Sequence, residues 1–454
     1  MKNNQKSPTC PPWIHKIRAK ISNIYHVVDD FFHEIIINRW GFIILGLVFL
    51  IFAIILRLAF FPHISGDVYW YLKPWMLFYQ DNGGLQAIGE LPISYYQTPN
   101  KNIPYGGDIS AYTVIGIVYG NYPLAYYNVL ALLSYLPIDV VYLVKAFSTF
   151  FDIVLALGIA FIVYQLSNQN RLYTLIAWAI ALILPTGWLN SSLWGQSDGI
   201  YVALLVWCLY FVIREKPKTS MIFLGLALAF KVQTIFILPL FAWLYLKRKF
   251  KLYDLFIALG VVILTMIPAW IGGMAFLDPF KQYLSLAGTY SNPNMYSGSF
   301  YVLFDGISGA FGQNGLDIDI FGIPFALLVL LLSVYAIHKL EVPTSKENII
   351  LVAALFAILT PFVLPHMHER YFYLADFLVL LYVLIKRKRV YLAIFVQVAS
   401  LITYSHFLLG GYIIPDLGRG TMLFAVGFNI AVIYFLFKDI VIEHRINKKS
   451  IPNQ

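Results

Sequence analysis

The chain has 454 residues, of which 60% are hydrophobic, 17% aromatic and only 12% charged, and its mean hydropathy is +0.72. Soluble domains carry about a quarter of charged residues, so this composition excludes a protein that folds in water. In such a chain the formal net charge of +9 points to the placement of basic loops and not to nucleic-acid binding. No segment of domain size is polar enough to fold in water, which also excludes a soluble enzyme held to the membrane by a single anchor helix. The composition therefore predicts an all-α polytopic membrane protein.

Residues 1–40 form a polar, basic segment before the first apolar run. Within it, apolar residues recur at steps of three and four, which predicts an amphipathic helix on the inner membrane surface. These residues are Ile14, Ile17, Ile21, Ile24, Val28, Phe31 and Ile35. No cleavable signal peptide is expected, because no short apolar core with a small-residue cleavage site opens the chain. Cys10 and Cys208 lie on different sides of the first span, so no disulfide is expected.

Apolar runs long enough to span a bilayer recur along the whole chain. They cover residues 41–61, 139–166, 172–191, 197–213, 219–246, 252–272, 320–337, 348–365, 371–385, 390–410 and 421–437. The basic clusters between them and at the two ends contain 24 of the 32 Lys and Arg residues, which the positive-inside rule assigns to the cytoplasm. This assignment holds for every cluster only if residues 219–246 cross the membrane twice.

Residues 219–246 are too few for two full helices of about 20 residues each. We therefore predict two short half-helices that meet near Lys231 at membrane depth, where the freed backbone groups must be buried in protein or line a wet cavity. The predicted architecture is one transmembrane domain, residues 41–437, with twelve crossings. A basic tail at residues 438–454 and the N-terminal segment are both placed in the cytoplasm.

Two long outer segments, residues 62–138 and 273–318, are rich in Tyr, Trp, Asn, Gly and Asp. Most cytoplasmic connections are short and basic, so function is expected on the outer face. Charged residues inside the apolar runs agree with this, because Arg57, Lys145 and Asp376 lie near outer ends. For Arg57 and Lys145, snorkelling of the side chain to the outer interface is an equally good explanation.

The first outer motif is SGDVYWYLKPW at residues 65–75, directly after the first span. Asp67 lies there among aromatic residues, where a carboxylate is positioned to act as a general base. Ser-Gly-Asp before an aromatic helix is also typical of an N-cap, and the motif alone favours the cap.

The second motif, YGNYPLAYYNVL at residues 119–130, places Tyr122 in a Tyr-Pro turn. Taken alone, this turn indicates a belt of aromatic residues at the membrane interface.

The third motif, WGQSDGIY at residues 194–201, is a polar turn between two predicted spans. Trp194, Gln196 and Asp198 are residue types that bind sugars, because amides and carboxylates bind hydroxyl groups while an aromatic face covers the ring. A simple capped hairpin explains this turn equally well. Lys231 follows at the predicted break, within the sequence FKVQTIFILP.

The fourth motif, HMHERYFYLAD at residues 366–376, puts His366, His368, Glu369 and Arg370 in one outer turn. An arginine with neighbouring imidazoles can bind a phosphate group through paired hydrogen bonds. A zinc site is the weaker alternative, because two histidines separated by one residue lack a third ligand at metal spacing. A merely solvated turn is the remaining explanation.

Taken in order, these motifs resemble the GT-C superfamily of membrane glycosyltransferases, with likeness to Gpi18-like mannosyltransferases and to dolichyl-phosphate-glucose-dependent glucosyltransferases. The resemblance extends from residue 65 to residue 376, and the last two predicted spans add little to it. The residues that carry it are Asp67, Trp75, Asn121, Tyr122, Pro123, Leu124, Lys231, Gln233, His366, His368, Glu369 and Arg370. Two of them depart from the family pattern. Leu124 stands where many relatives have a second proline, and Arg370 stands where the glucosyltransferases have lysine.

The resemblance implies transfer of a hexose, mannose or glucose, from a polyprenyl-phosphate-linked donor to a lipid-linked glycan or cell-surface acceptor, with inversion at the anomeric carbon. Asp67 would be the catalytic base. Lys231 and Arg370 would neutralise the lipid-phosphate leaving group with help from His366 and His368, without a metal ion or cofactor. The predicted substrate-binding residues are Trp75, Tyr122, Trp194, Gln196, Asp198, Gln233 and Glu369.

The main alternative is a transporter or flippase for a lipid-linked saccharide, for which broken helices and midplane charges are also expected. That alternative predicts inverted repeats and short loops on both faces, and neither is evident in the sequence. A polysaccharide polymerase would share the long outer loops but would use a lipid-diphosphate donor. The expected location is the cell membrane, or the endoplasmic reticulum membrane in a eukaryote.

Overall fold

The computed structural model describes residues 38–98, 113–286, 292–304, 318–408 and 419–450. The predicted amphipathic helix at residues 14–35 lies outside these ranges, as do parts of both long outer segments.

Helices make up most of the described chain. In order they are α1 (Arg39–Phe60), α2 (Lys73–Asp81), α3 (Leu124–Leu133), α4 (Val140–Leu166), α5 (Arg171–Ile183), α6 (Pro185–Trp188), α7 (Asp198–Ile213), α8 (Pro217–Phe230), α9 (Leu238–Leu246), α10 (Asp254–Ile271), α11 (Asp278–Ser285), α12 (Ile318–Lys339), α13 (Lys346–Val363), α14 (Tyr373–Lys386), α15 (Tyr391–Leu408) and α16 (Arg419–Ser450). Short π-helices cover Val68–Leu72 and Leu189–Trp194, and short 3-10 helices cover Gly84–Ala87, Val232–Ile237 and Phe300–Phe304. Strand β1 (Ile93–Thr98) pairs antiparallel with β2 (Thr113–Tyr119), and β3 (Asn294–Met295) pairs parallel with β4 (Met367–His368).

Seven of the described helices are long and apolar enough to cross a membrane, namely α1, α4, α10, α12, α13, α15 and α16. The pair formed by α5 and Pro185–Trp194 is bent by 41° and would make an eighth span. Helices α7 and α8 and the segment Val232–Leu246 are apolar but shorter. The chain is therefore a polytopic membrane protein, and the count of twelve crossings with both termini inside stays a prediction.

Burial separates lipid-facing helices from central ones. Only 11% of the most apolar stretch of α1 is buried, and side chains such as Leu47 and Ile51 are exposed, as expected where a helix faces lipid. In α13 the buried share is 89%, because this helix packs against α12, α14 and α16. Helix α13 is therefore surrounded by other helices of the bundle. Its C-terminal end leads into the turn at residues 364–372.

The helical backbone breaks at Lys231, as the sequence predicts. Helix α8 ends at Phe230, Lys231 is extended with φ −155° and ψ 130°, and a 3-10 turn follows before α9. The break leaves carbonyl groups of α8 without helical partners. The hydroxyl of Tyr283 donates to the carbonyl of Ala229 at 3.1 Å, so part of the freed backbone is satisfied within the protein.

Arg57 and Lys145 are buried in the bundle, so the snorkelling explanation is wrong for both. Arg57 Nε donates to Asp152 Oδ2 at 3.0 Å, and this ion pair joins α1 to α4. Lys145 Nζ donates to carbonyl groups at the end of α1, including that of Phe60 at 3.2 Å. Lys145 therefore fixes the chain where it leaves α1 and turns towards Asp67.

Candidate active site

The four sequence motifs meet at one end of the helical bundle. Asp67 follows α1, Asp198 begins α7, Lys231 follows α8, and Arg370 lies between α13 and α14. Helix α7 has 16 residues, so the basic loop at its other end lies about 24 Å away at 1.5 Å per residue. The polar cluster and the basic loops therefore occupy opposite ends of the same helices.

Asp67 is held by side chains that come from distant parts of the chain. Its Oδ2 accepts hydrogen bonds from Trp194 Nε1 at 2.8 Å and from Gln196 Nε2 at 2.5 Å. The same oxygen lies 3.6 Å from Nη1 of Arg370. Asp67 makes no capping hydrogen bond, and Ser65 Oγ accepts a backbone N–H of the following turn instead. The helix-cap explanation of Asp67 is therefore wrong, while its role as a base stays a prediction.

The turn that follows Trp194 requires glycine at position 195. Gly195 has a φ of 83°, in the left-handed region that favours glycine, and a Cβ atom there would lie 2.5 Å from a methyl group of Val68. The hydroxyl of Ser65 also donates to the carbonyl of Trp194 at 2.5 Å. This close approach brings the turn against the segment that contains Asp67.

Tyr122 fixes the orientation of the Gln196 amide. Its hydroxyl donates to Gln196 Oε1 at 3.1 Å, which leaves Nε2 to donate to Asp67. Burial raises the pKa of Tyr122 to about 12, so the phenol keeps its proton at neutral pH. Trp75 is buried against Tyr122 and Tyr127, with ring centroids 5.5 and 5.6 Å apart. Trp75 therefore supports the position of Tyr122.

Asp198 pairs with both cations of the cluster. Its Oδ1 lies 2.5 Å from Lys231 Nζ, and its Oδ2 lies 3.6 Å from Arg370 Nε. Asn190 Nδ2 donates to the same Oδ2 at 3.0 Å. Lys231 Nζ also lies 5.6 Å from the centroid of the Tyr122 ring, within cation–π distance. Asp198 therefore sets the spacing between the two cations.

Arg370 makes one short ion pair and keeps one buried donor unpaired. Its Nη1 lies 2.8 Å from Glu369 Oε1, and the other oxygen of Glu369 lies 3.3 Å from His368 Nδ1. Burial by itself raises the pKa of Glu369, but the hydrogen bond with His368 and the charge of Arg370 outweigh it and lower the pKa. Arg370 Nε is buried and has no hydrogen-bond partner among the described residues. Because a buried unpaired donor is costly, this nitrogen is suited to an acceptor atom of a substrate.

The remaining predicted residues, His366 and Gln233, lie in the turns that contain Arg370 and Lys231. His366 has its Nδ1 2.8 Å from the carbonyl oxygen of Asn292, beside the pairing of β3 with β4. Gln233 is half-buried in the 3-10 turn after Lys231. Over the described part of the chain, no group of three or more His, Cys, Asp and Glu side chains is arranged to hold a metal ion.

Residues that the sequence does not single out also support the site. Thr403 of α15 donates to the carbonyl of Glu369 at 2.7 Å, and the Phe407 ring stacks on Trp194 with centroids 5.8 Å apart. One of the last two predicted spans therefore contributes to the site, although it adds little to the family resemblance. Asn190, the hydrogen-bond partner of Asp198, lies in a π-helix, whose register differs from that of an α-helix.

Fold and site together define a polytopic membrane protein with a cluster of paired carboxylates and cations at one end of its bundle. The sequence profile of glycosyltransferase family 87 matches residues 121–365, more than half of the 454-residue chain. The chain therefore belongs to glycosyltransferase family 87, a GT-C-like family of membrane glycosyltransferases. This membership confirms that the chain is a glycosyltransferase and, with the apolar helices, that it is a multi-pass membrane protein.

The matched segment includes Tyr122, Asp198 and Lys231, whereas Asp67 and Arg370 lie outside it. The roles assigned to those two residues therefore depend on the geometry of the site. A comparison with curated proteins found no match.

Proposed function

We propose that the protein transfers a hexose, mannose or glucose, from a polyprenyl-phosphate-linked donor to a lipid-linked glycan or cell-surface acceptor on the outer or lumenal face, with inversion. One observation carries the proposal. Asp67, an accessible carboxylate, lies beside Arg370, whose buried Nε is 3.6 Å from Asp198 Oδ2 and makes no hydrogen bond within the described chain. Lys231 is joined to Arg370 through Asp198. Such a site is suited to a hydroxyl nucleophile next to an anionic leaving group.

Asp67 is the carboxylate best suited to take a proton from the acceptor. The side chains of Asp198 and Glu369 are each only 1% exposed and are held in ion pairs. The Asp67 side chain is 31% exposed, and both of its hydrogen bonds are made by Oδ2, which leaves Oδ1 available to a hydroxyl group. A sugar hydroxyl is a poor nucleophile until a base takes its proton, so an accessible carboxylate is required.

The leaving group in this reaction is a polyprenyl monophosphate. It departs with the electron pair of the glycosidic bond as the acceptor oxygen bonds the anomeric carbon, and its charge must be neutralised in a low-dielectric site. Lys231 and Arg370 supply two fixed cations, and the fork of Arg370 pairs with two phosphate oxygens. His368, which contacts Glu369, and His366, in the turn that contains Arg370, would orient the phosphate.

The sugar is assigned to the half-buried side chains of the site. Tyr122 and Gln233 are both half-buried and carry hydrogen-bonding groups for sugar hydroxyls. Trp194 and Gln196 are buried, so we assign them to positioning Asp67, to which both donate. Of the remaining predicted substrate-binding residues, Trp75 supports Tyr122, and Asp198 and Glu369 hold the cations.

The break at Lys231 is the proposed docking place for the donor lipid. A polyprenyl chain stays in the membrane, so its phosphate must be met by charged groups close to the bilayer. Irregular backbone is tolerated at such depth where it is buried in protein or lines a cavity. Lys231 has both features, an extended backbone and a buried ammonium group.

A donor assay tests the proposal. Purified protein in nanodiscs is given synthetic polyprenyl-phosphate mannose, polyprenyl-phosphate glucose or a polyprenyl-diphosphate hexose, with a membrane-lipid extract as acceptor. Transfer is read as a mass increase of one hexose, and the anomeric configuration of the product is read by NMR. The wild-type protein is expected to use a monophosphate donor and to invert. Use of the diphosphate donor alone, or retention of configuration, would contradict the proposal.

A further inference from the structure

A cavity with several cations in its lining lies at the opposite end of α7 and α8 from the active-site cluster. It is open to solvent and has a volume of about 290 Å³ between the loop that joins these helices, the loop after α9 and the start of α13. Its lining includes three cations, Arg248, Lys249 and Lys346, and one carboxylate, Glu215. The catalytic assignment uses none of these residues.

The charges of this cavity do not balance within the described chain. Lys249 Nζ lies 3.6 Å from Glu215 Oε1, but the Glu215 side chain is largely exposed, so solvent screens the pair. Arg248 and Lys346 form no ion pair with any described residue. The cavity therefore holds two cations that are available to an anion.

Two helices also begin at this cavity. The residues that line it include Pro217 and Ser220 in the first turn of α8, and Thr344 and Lys346 at the start of α13. The first N–H groups of a helix lack partners within the helix, and the helix dipole favours negative charge there. The dipoles of both helices thus add to the positive potential of the side chains, while Pro217 has no N–H and the Ser345 side chain caps α13.

The positive-inside rule explains why basic residues occur at this end of the bundle. It does not explain why three of them line the same cavity. Lys218, in the first turn of α8, and Lys251, in the loop after α9, do not line it. The remaining lining is largely apolar and includes Ile213, Met221 and Ile349. Cations above an apolar lining are suited to an anionic amphiphile.

We propose that this cavity binds a phosphate group, carried by the head group of an anionic phospholipid or by a soluble phosphate ester. Arg248 would bind two phosphate oxygens through its fork, and Lys346 would contribute a point charge. The dipoles of the two helices would add positive potential.

The lipid arm of the test is native mass spectrometry of the full chain in detergent with dioleoyl phosphatidylglycerol or phosphatidylcholine. Arg248→Gln with Lys346→Gln removes the two unpaired cations, and Lys218→Gln with Lys251→Gln removes two charges outside the cavity. Phosphatidylglycerol binding is expected to fall about tenfold or more in the first double variant only, as for loss of charge-assisted hydrogen bonds. Arg248→Lys with Lys346→Arg keeps both charges and is expected to keep most of the binding.

The soluble arm is the thermal melt of the full chain in phosphatidylcholine nanodiscs, with inorganic phosphate or with chloride at equal ionic strength. A phosphate-specific rise in Tm that the cavity variant loses assigns the site to a soluble phosphate compound. Loss of phosphatidylglycerol binding without such a rise assigns it to a lipid. If both double variants bind phosphatidylglycerol equally and phosphate acts like chloride, the proposal is overturned and the cations serve topology alone.

Discussion

Asp198 and Lys231 form an ion pair in which both side chains are withdrawn from solvent, 1% and 7% exposed, with 2.5 Å between Oδ1 and Nζ. The pair joins the first residue of α7 to the backbone break after α8. Removing one partner of such a pair leaves an uncompensated buried charge, whereas replacing both partners does not. The pair therefore holds the break and fixes the position of the Lys231 cation.

Asp198→Asn is expected to destabilise the protein by about 3–5 kcal/mol, because Lys231 then stays buried without a carboxylate at contact distance. Asp198→Asn combined with Lys231→Met removes both charges and is expected to recover part of this loss. Thermal melts of the three proteins in identical nanodiscs measure the effect. Equal melts for Asp198→Asn and wild type would show that the pair does not hold the break.

Arg370→Ala is expected to lower turnover on the order of 100-fold, because loss of one preorganised donor at a developing charge has an effect of that size. Arg370→Lys should restore part of it, since a point cation neutralises charge but loses the fork geometry. Lys231→Met is expected to lower turnover at least as much. Initial rates with a polyprenyl-phosphate hexose measure all three.

The matched control for these variants is Lys281→Ala, which removes an exposed cation from its surface pair with Asp278. Exposed pairs contribute little, so this variant should keep the wild-type rate. Wild-type activity in Arg370→Ala or in Lys231→Met would refute the assignment of the phosphate site.

The meeting of the four motifs is predictable from sequence, because each motif lies at a predicted outer end of a span or in an outer loop, and topology brings these to one face. The break at Lys231 is also predictable. The basic loops on both sides of residues 219–246 require this segment to cross the membrane twice, and it is too short for two full helices.

Individual contacts are not predictable in this way. Gln196 reaches Asp67 only because a π-helix and a left-handed glycine turn the chain, and neither has a spacing signal. His366 shares a turn with Arg370 yet bonds to the carbonyl of Asn292, because residues 294–295 pair with 367–368. Such long-range pairings depend on the packed structure and not on local sequence.

Removal of divalent metal ions is expected to leave turnover intact. The leaving group is a monophosphate, and Lys231 and Arg370 neutralise it, so the proposed chemistry needs no further cation. Initial rates are compared with and without EDTA, and then with added magnesium or manganese. Loss of activity in EDTA that either ion restores would favour a metal-bridged phosphate instead.

The topology is testable with single cysteines on a background that carries Cys10→Ser and Cys208→Ala. Gln86→Cys and Lys281→Cys lie at the end of the bundle that contains the site, and both positions are exposed. In sealed cells both should react with an impermeant maleimide, whereas Lys249→Cys, in a basic loop, should react only after lysis. Labelling of Lys249→Cys in sealed cells would invert the proposed orientation and move the active site to the cytoplasm.

Asp67→Asn separates catalysis by Asp67 from a positioning role. Asparagine keeps the size of the side chain and still accepts a hydrogen bond, but it cannot take the proton of the acceptor. Turnover is therefore expected to fall by roughly 100- to 10,000-fold, while donor affinity changes little. The matched control is Asp139→Asn, because Asp139 caps α4 by accepting the N–H of Val141 at 2.8 Å, and asparagine caps equally well.

The measurements for Asp67 are the initial rate, the donor affinity and the thermal melt of purified protein in nanodiscs. A lower rate with unchanged affinity and melt is the signature of a lost base, because a folding defect would lower all three together. Asp139→Asn should match wild type in each measurement. A well-folded Asp67→Asn protein within about threefold of the wild-type rate, far below the usual contribution of a general base, would remove the catalytic assignment.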